Sequence, residues 1–189
     1  MTVDLPEVHA AALDGTRRFV AAVADDQWSA PSPCDAWTVR VLVNHIVAGN
    51  FWVAPLVEGQ TIDQVGDRLD GDVLGDHPID AYDRSSAEAA AAFRTPGAMS
   101  APVAVSYGPV PGSVYAGHRF LDVLIHGWDV ARATGQDTTL DPELLRACWE
   151  VLEPQLDLLS GSGMFGRPHD VPADATDEQR ILALLGRTP

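Results

Sequence analysis

The chain has 189 residues, a length that suits one domain with a full hydrophobic core, or one domain with a small appendage, and argues against two full domains. Its formal net charge is -15 and all twelve basic residues are Arg. Such a chain would repel phosphate backbones and anionic lipid surfaces, so nucleic acid and membranes are excluded as predicted partners.

The N-terminus and the cysteines point to a cytoplasmic protein. The N-terminal segment, residues 1–7, lacks the basic start and apolar centre of a signal peptide, and no apolar run approaches the ~20 residues of a membrane helix. Cys34 and Cys148 lie far apart and form no C-x-x-C pair. This argues against a disulfide framework or a cysteine-ligated zinc, and we expect two free thiols.

The first third of the chain predicts two long helices. Apolar residues recur near a 3.6-residue period over about residues 7–25, and prolines interrupt residues 28–37. Thr38 is the predicted N-cap of a second helix that runs to about residue 54, where Pro55 ends it. Residues 56–78 are rich in Gly and Asp, and predict a long crossover with room for a short helix.

The middle of the chain predicts two further helices. Residues 79–93 have high helix propensity, and an extended stretch is expected over residues 103–107. Ser113 is the predicted cap of a fourth long helix over about residues 114–134, which Gly135 ends.

The C-terminal part opens with Asp141 and Pro142, the pattern of a helix start, and this fifth helix is predicted to reach about residue 159. A Gly- and Pro-rich strap follows, with a short helix over residues 177–185. The pattern predicts an all-α four-helix bundle with long crossover loops, a bundle of about residues 5–160 and a strap of about residues 161–189 within one domain. Nothing in it indicates a parallel sheet.

Asp122 and His126 are the most informative pair of residues. They lie four positions apart on the predicted fourth helix, so their side chains share one face of the helix and are able to bind one ion together. His45, in the apolar second helix, is the best third ligand. Two His and one carboxylate from two helices would leave coordination positions free, which is typical of catalytic metal sites.

Two simpler interpretations compete with the metal site. Asp122 and His126 alone would also suit a surface ion pair worth about 0.2–0.5 kcal/mol. His45 alone would suit a core histidine bonded to a backbone carbonyl. Other candidates for a catalytic role are His118 and Asp129 near the same helical stripe, and His169 if the strap folds back over the pocket.

Residues 34–45 and 122–135 resemble the metal-binding domain of mycothiol-dependent maleylpyruvate isomerase, of the DinB-like superfamily of four-helix bundles. The resemblance covers almost the whole chain, and residues 177–187 look like the ending of short, single-domain actinobacterial members. It implies a metal triad of a His on the second helix and an acidic-x-x-x-His on a later one, at His45, Asp122 and His126. This chain departs from the isomerase in having Asp rather than Glu at position 122, and in lacking the isomerase's C-terminal domain.

The resemblance implies a thiol-dependent metalloenzyme, a transferase or isomerase that uses a small thiol such as mycothiol and an electrophilic substrate. Zn²⁺ is the first choice of divalent ion for such ligands, which also accept Ni²⁺ or Fe²⁺. Metal-dependent hydrolysis stays open as an alternative, as does a non-catalytic metal-binding or regulatory bundle. The oligomeric state also stays open, with a homodimer as one alternative to a monomer.

Overall fold

The computed structural model describes residues 3–156 and 166–188. This part of the chain contains seven α-helices, one 3-10 helix and a two-stranded sheet, so the predicted all-α class is confirmed. It divides into two compact units, one of residues 4–138 and a second that begins at Thr139 and includes Val3. The predicted bundle of about residues 5–160 within one domain stays a prediction, and part of its last stretch lies outside the described residues.

The first unit is built from four long helices and one short one. They are α1 (Leu5–Ala21), α2 (Val39–Val57), the short α3 (Ile62–Val65), α4 (Pro78–Phe93) and α5 (Gly112–Thr134). The helices α1 and α2 each pack against both α4 and α5, so the four long helices surround a common core. Fully buried apolar side chains fill that core, among them Leu42, Ile46, Phe120 and Ile125.

The helix α2 begins at the predicted cap, since the Thr38 hydroxyl accepts a hydrogen bond from the Val41 amide at 3.3 Å. The prediction that Pro55 ends the helix is wrong, because α2 continues to Val57. Proline lacks an N–H donor and crowds the carbonyl four residues before it, so it disturbs the preceding turn and does not prevent the residues after it from continuing the helix. The bonds from Glu58 N to Ala54 O and from Gln60 N to Pro55 O, both 3.0 Å, complete that turn.

Among the described residues, α2 is the one helix long and apolar enough to cross a membrane by length and composition, with a mean hydropathy of 1.2. The sequence expectation that no run approaches this length is therefore corrected. The criterion is weak evidence for a membrane span, because core helices of water-soluble bundles meet it as well. Here α2 packs against α4 and α5.

The helix α5 starts two residues before its predicted start. Its N-cap is Pro111, and the predicted cap Ser113 lies inside the helix, with its amide bonded to Met99 O at 2.9 Å. Gly112 makes this start possible, because a Cβ at this position would overlap the carbonyl of Ala98. The predicted end is confirmed, with Gly135 in the left-handed region at φ 71°.

A small hairpin precedes α5. The strands β1 (Pro102–Val105) and β2 (Gly108–Pro111) pair antiparallel through a turn at Ser106 and Tyr107. The predicted extended stretch over residues 103–107 matches β1 only in part, and β2 was not predicted. Its two prolines obscure the pattern of a strand, although proline is tolerated at a sheet edge.

The crossover between α2 and α4 is tied to α2, which fixes the part of the helix that carries His45. The Asn44 side chain donates to Gly71 O at 2.8 Å and accepts from the Val73 amide at 2.8 Å. The predicted short helix in this crossover is α3.

The helix α1 buries two polar side chains, Thr16 and His9, which the spacing of its apolar residues did not predict to be buried. The Thr16 hydroxyl donates to Val123 O of α5 at 3.1 Å, and a Cβ at Gly127 would overlap this hydroxyl. His9 is fully buried, packs edge-on against Phe93 with ring centroids 5.0 Å apart, and has no hydrogen-bond partner among the described residues.

The second unit contains α6 (Pro142–Leu152), a 3-10 helix (Glu153–Gln155) and α7 (Asp177–Leu184), and α6 packs against α7. Asp141 caps α6 as predicted, accepting from the Glu143 amide at 2.7 Å. The α-helical part ends at Leu152 because Pro154 disfavours a further α-turn. The predicted end near residue 159 lies outside the described residues.

Candidate metal centre

The structure brings His45, Asp122 and His126 together where α2 lies against α5. The Nε2 atom of His45 is 3.1 Å from Asp122 Oδ1, and the Nε2 atom of His126 is 3.6 Å from the same oxygen. All three ligand atoms lie within 4.8 Å of one another. The residues that the sequence singled out therefore form one cluster on two neighbouring helices.

The spacing of these atoms fits one divalent ion. Zinc binds imidazole nitrogen and carboxylate oxygen at about 2.0–2.2 Å, so two ligands of one tetrahedral ion lie about 3.3–3.6 Å apart. The two separations in the structure, 3.1 and 3.6 Å, are close to this range. The donor set of two imidazoles and one carboxylate suits such an ion and supplies only three ligands.

Asp122 is held as a carboxylate by its neighbours. Burial would raise its pKa, but the charges of Arg119 and His126 and the hydrogen bond with His45 outweigh burial and hold the pKa far below its usual range. The Nη1 atom of Arg119 donates to Asp122 Oδ2 at 2.8 Å, which leaves Oδ1 facing the two imidazoles. The carboxylate is therefore oriented as a ligand would be.

Arg119 joins α5 to α2. Besides Asp122, its Nη2 atom donates to Asn50 Oδ1 at 3.0 Å, and the side chain is buried. Gly49 makes room for it, because a Cβ there would lie 2.6 Å from Arg119 Cζ. The sequence analysis missed Arg119; the signals were a basic residue three positions before Asp122, and Gly49 and Asn50 on an otherwise apolar helix.

Asp129 lies behind His126. Its Oδ2 atom is 2.9 Å from His126 Nδ1, and its side chain is fully buried. A histidine that donates its Nδ1 proton to a carboxylate keeps the lone pair of Nε2 for a ligand role, and this is the usual support of a metal-bound histidine. Asp129 was predicted as a catalytic candidate, and the structure places its carboxylate against His126 Nδ1.

Cys34 is a second residue that the sequence analysis did not assign to the site. Its Sγ atom donates to Asp129 Oδ2 at 3.3 Å and lies 3.8 Å from His126 Nδ1. Its side chain is partly buried. Cys34, His126 and Asp129 form a second group of potential ligand atoms within 4.8 Å of one another, which uses the other nitrogen of the same imidazole.

Trp37 lies against the two imidazoles. Its ring centroid is 5.0 Å from that of His45 and 5.9 Å from that of His126. The tight turn that contains both Cys34 and Trp37 is closed by a bond from Trp37 N to Cys34 O at 3.1 Å, with Ala36 at φ 63°. A non-glycine residue in this region is strained, so the turn is held by its surroundings.

The two remaining histidine candidates are not members of the cluster. His118 is buried, and its Nδ1 atom is 2.6 Å from the hydroxyl of Tyr107 on the hairpin turn. His169 belongs to the second unit, where it is exposed and its Nε2 atom is 3.2 Å from Gly186 O.

A cavity of about 360 Å³ lies between α2, α3, the hairpin and α5. Its walls are largely apolar and aromatic, and Arg119 reaches it as well; they include Gly49, Trp52, Leu56, Tyr107, Tyr115 and Arg119. Trp52 is one of these walls, and Trp128 of α5 is buried.

Residues 9–131 match the family model described as "Mycothiol maleylpyruvate isomerase N-terminal domain". Two proteins of Mycobacterium tuberculosis, from strains CDC 1551 and H37Rv and both described as uncharacterized, are each 37% identical over 189 residues. Each match covers 95% of this chain and 96% of the relative.

Crystal structures of the mycothiol-dependent maleylpyruvate isomerase and of a mutant of that enzyme share the fold, with a TM-score of 0.64 in both comparisons. They are 17% and 16% identical in sequence, and each match covers 81% of this chain and 68% of the other. The likeness shows that the chain shares the fold of the isomerase, as the sequence resemblance implied.

Proposed function

Since the chain belongs to the mycothiol maleylpyruvate isomerase N-terminal domain family, we propose that it binds a divalent metal through His45, Asp122 and His126 and activates a small thiol for transfer or isomerisation. The observation that carries the proposal is the convergence of His45 Nε2, Asp122 Oδ1 and His126 Nε2 from two helices. Zn²⁺ is the first candidate, and Ni²⁺ or Fe²⁺ would suit the same ligands. The thiol that the family name supports is mycothiol.

A divalent ion at this site would deprotonate a bound thiol at neutral pH and so supply thiolate, the nucleophilic form. The protein's own residues prepare the site for this chemistry. Asp129 keeps the Nδ1 proton on His126, so that Nε2 faces the site as an acceptor. Arg119 offsets part of the charge of Asp122 and holds its carboxylate in place.

Three protein ligands leave room for a thiol, which is why an active rather than a structural site is proposed. The His45 side chain is 38% exposed and that of Asp122 is 20% exposed, so a small molecule has access from the His45 side. Trp37 covers part of both imidazoles and would shield a thiolate from water.

The proposal is tested first by metal content. Purified protein should carry about one divalent ion per chain, and His45→Ala or His126→Ala should lose it. His77→Ala is the matched control, because His77 is exposed and belongs to the same unit. Equal metal content in all four proteins would overturn the site.

The thiol reaction is tested second, by the rate at which mycothiol is conjugated to a panel of electrophiles. Metal-loaded protein should accelerate the reaction, and metal-free protein should not. Mycothiol should outperform a bare alkyl thiol of similar acidity, because binding energy from its sugar portion would be available. Equal rates with and without metal would contradict the thiol mechanism, and metal-dependent ester or amide hydrolysis in its place would favour a hydrolase.

A further inference from the structure

The turn before α2 holds the thiol of Cys34 against α5. The Cys34 amide donates to Ser32 Oγ at 3.2 Å, and its carbonyl accepts from Trp37 N at 3.1 Å. Ala36 in this turn has a φ of 63°, a backbone conformation that persists only where the surrounding structure holds it. The Sγ atom is therefore presented to α5 from a fixed backbone, and the residue is partly exposed.

Two side chains of α5 face this thiol. The Cys34 Sγ atom lies 3.3 Å from Asp129 Oδ2 and 3.8 Å from His126 Nδ1, and these two atoms of α5 are 2.9 Å apart. Thiolate, imidazole and carboxylate are the usual protein ligands of zinc and of softer ions. Asp129 is fully buried, and a buried charge attracts a cation more strongly than a charge in water does.

The triangle of Sγ, Nδ1 and Oδ2 has the size that a metal ion requires. The point equidistant from atoms with these separations lies about 2 Å from each of them, and zinc bonds to such ligands are about 2.0–2.3 Å long. An ion with bonds of this length would sit at or just above the plane of the three atoms. The partly exposed side of Cys34 leaves a further coordination position to water.

The imidazole of His126 belongs to two groups of ligand atoms. Its Nε2 atom faces the first site, which consists of His45, Asp122 and His126, and its Nδ1 atom faces Asp129 and Cys34. A neutral imidazole has a lone pair on one nitrogen and a proton on the other. An ion bound to Nδ1 therefore leaves the proton on Nε2, and Nε2 is then unable to bind an ion at the first site.

We propose that Cys34, His126 and Asp129 form a second site, for a soft thiophilic divalent cation, which is filled in alternation with the first site. The thiol proton passes to solvent as the ion binds, and the thiolate becomes a ligand. Filling the second site breaks the hydrogen bond between His126 and Asp129, so it favours ions that bind thiolate more strongly than Zn²⁺ does. Zn²⁺ is expected to stay at the first site.

The alternation rests on the proposed function, because it requires an ion at the first site. The second site itself does not depend on that function. A soft ion bound there would withdraw the imidazole of His126 from the first site and so would inactivate it.

The test uses Cd²⁺ as the probe, because cadmium bound to a thiolate produces a charge-transfer absorption in the ultraviolet. Titration of the metal-free full chain should produce this absorption, and Cys34→Ser should abolish it. Serine keeps a hydroxyl that can donate to Asp129, and circular dichroism checks that the variant is folded. Cys148→Ala is the control, because Cys148 is buried in the second unit, and it should leave the absorption unchanged. No absorption in the wild-type protein would overturn the proposal.

Asp129→Asn distinguishes a three-ligand site from a single reactive thiol. This variant should need at least about ten-fold more Cd²⁺ for half-maximal absorption, because a charged ligand contributes no less than an outer partner of a metal ligand, whose loss costs about 10–100-fold. An unchanged titration in Asp129→Asn would mean that Cys34 binds the ion alone, and would overturn the site.

His45→Ala distinguishes the second site from an arrangement in which Cys34 is an additional ligand of the first ion. His45 belongs to the first site alone, so this variant should keep the cadmium–thiolate absorption and reach it at a lower Cd²⁺ concentration than the wild-type protein. Loss of the absorption would overturn the second site. Equilibrium dialysis should give one Cd²⁺ per wild-type chain in total, and two bound ions would overturn the alternation.

Zinc content of the same proteins separates this inference from the proposed function. If His45→Ala loses zinc but the wild-type protein gives no cadmium–thiolate absorption, the second site alone is refuted. If His45→Ala changes neither the zinc content nor the cadmium titration, while the absorption still requires Cys34 and Asp129, the first site is refuted and the second site stands.

Discussion

The Nδ1 atom of His126 lies 2.9 Å from Oδ2 of Asp129, a carboxylate with no exposed surface. The pair sets the direction in which His126 presents its other nitrogen. Because Cys34 donates to the same carboxylate oxygen, the Asp129 side chain links the turn before α2 to His126 on α5.

The first prediction is that Asp129→Asn weakens metal binding by about 10–100-fold, the usual effect of losing the partner of a metal-bound histidine. Asparagine keeps the size of the side chain and can still accept a bond, but it removes the charge. A titration against a competing chelator measures the change, with Asp25→Asn, at an exposed position, as the control. An affinity equal to that of the control would remove Asp129 from the site.

A second prediction concerns Asp122→Asn, which should lower metal affinity because the carboxylate is a ligand in the proposed site and is also the charge partner of Arg119. The same chelator titration applies. Asp83→Asn is the matched control, since Asp83 pairs with Arg17 at 3.0 Å on the surface, away from the cluster, where such pairs contribute little. If Asp122 were only a surface partner of His126, the two variants would behave alike.

The contact between Gly49 and Arg119 predicts opposite effects for two Gly→Ala changes. Gly49→Ala should destabilise the protein by about 1–3 kcal/mol, because its Cβ overlaps the guanidinium. Gly15→Ala in α1 should stabilise it by about 0.5–1 kcal/mol, because nothing lies within 4 Å of its Cβ and alanine favours the helix. Urea unfolding of both variants measures the sign of each change in the free energy of unfolding. An unchanged free energy in Gly49→Ala would show that the Arg119 side chain can adopt another conformation.

The fourth prediction is a pH dependence of stability from His9. Burial lowers the pKa of His9 to about 3. The unfolded chain, with a pKa near 6.5, therefore takes up a proton before the folded one does. The free energy of unfolding should fall as the pH drops below about 6.5, by about 2 kcal/mol from His9 alone at pH 5, and go on falling to about pH 3.

His9→Leu should remove this part of the dependence, measured by urea unfolding of metal-free protein between pH 5 and 7.5. His77→Leu is the control, because His77 is exposed and makes no side-chain cap bond in α4. Parallel pH profiles for the wild-type protein and His9→Leu would mean that His9 is hydrated or protonated in the folded state.

The fold and the three central residues could be predicted because their signals are local. The spacing of Asp122 and His126 is a property of one helix, and His45 stands out on an apolar one. The contacts of Arg119 with Asn50 and of Cys34 with Asp129 join residues 69 and 95 positions apart. Such contacts depend on how helices pack, which periodicity does not specify. The strand β2 was not predicted for a local reason, since Pro109 and Pro111 interrupt the residue pattern that is typical of a strand.

The contacts around His45, Asp122 and His126 have a consequence for the affinity and ion selectivity of the proposed metal site. Arg119 holds Asp122, Asp129 holds His126, and Trp37 lies against His45, so each side chain is restrained by protein atoms. Their rotamer entropy is lost when the chain folds, rather than when a ligand arrives. Such preorganisation favours tight association and discriminates against ions whose size or preferred geometry would require the helices to shift.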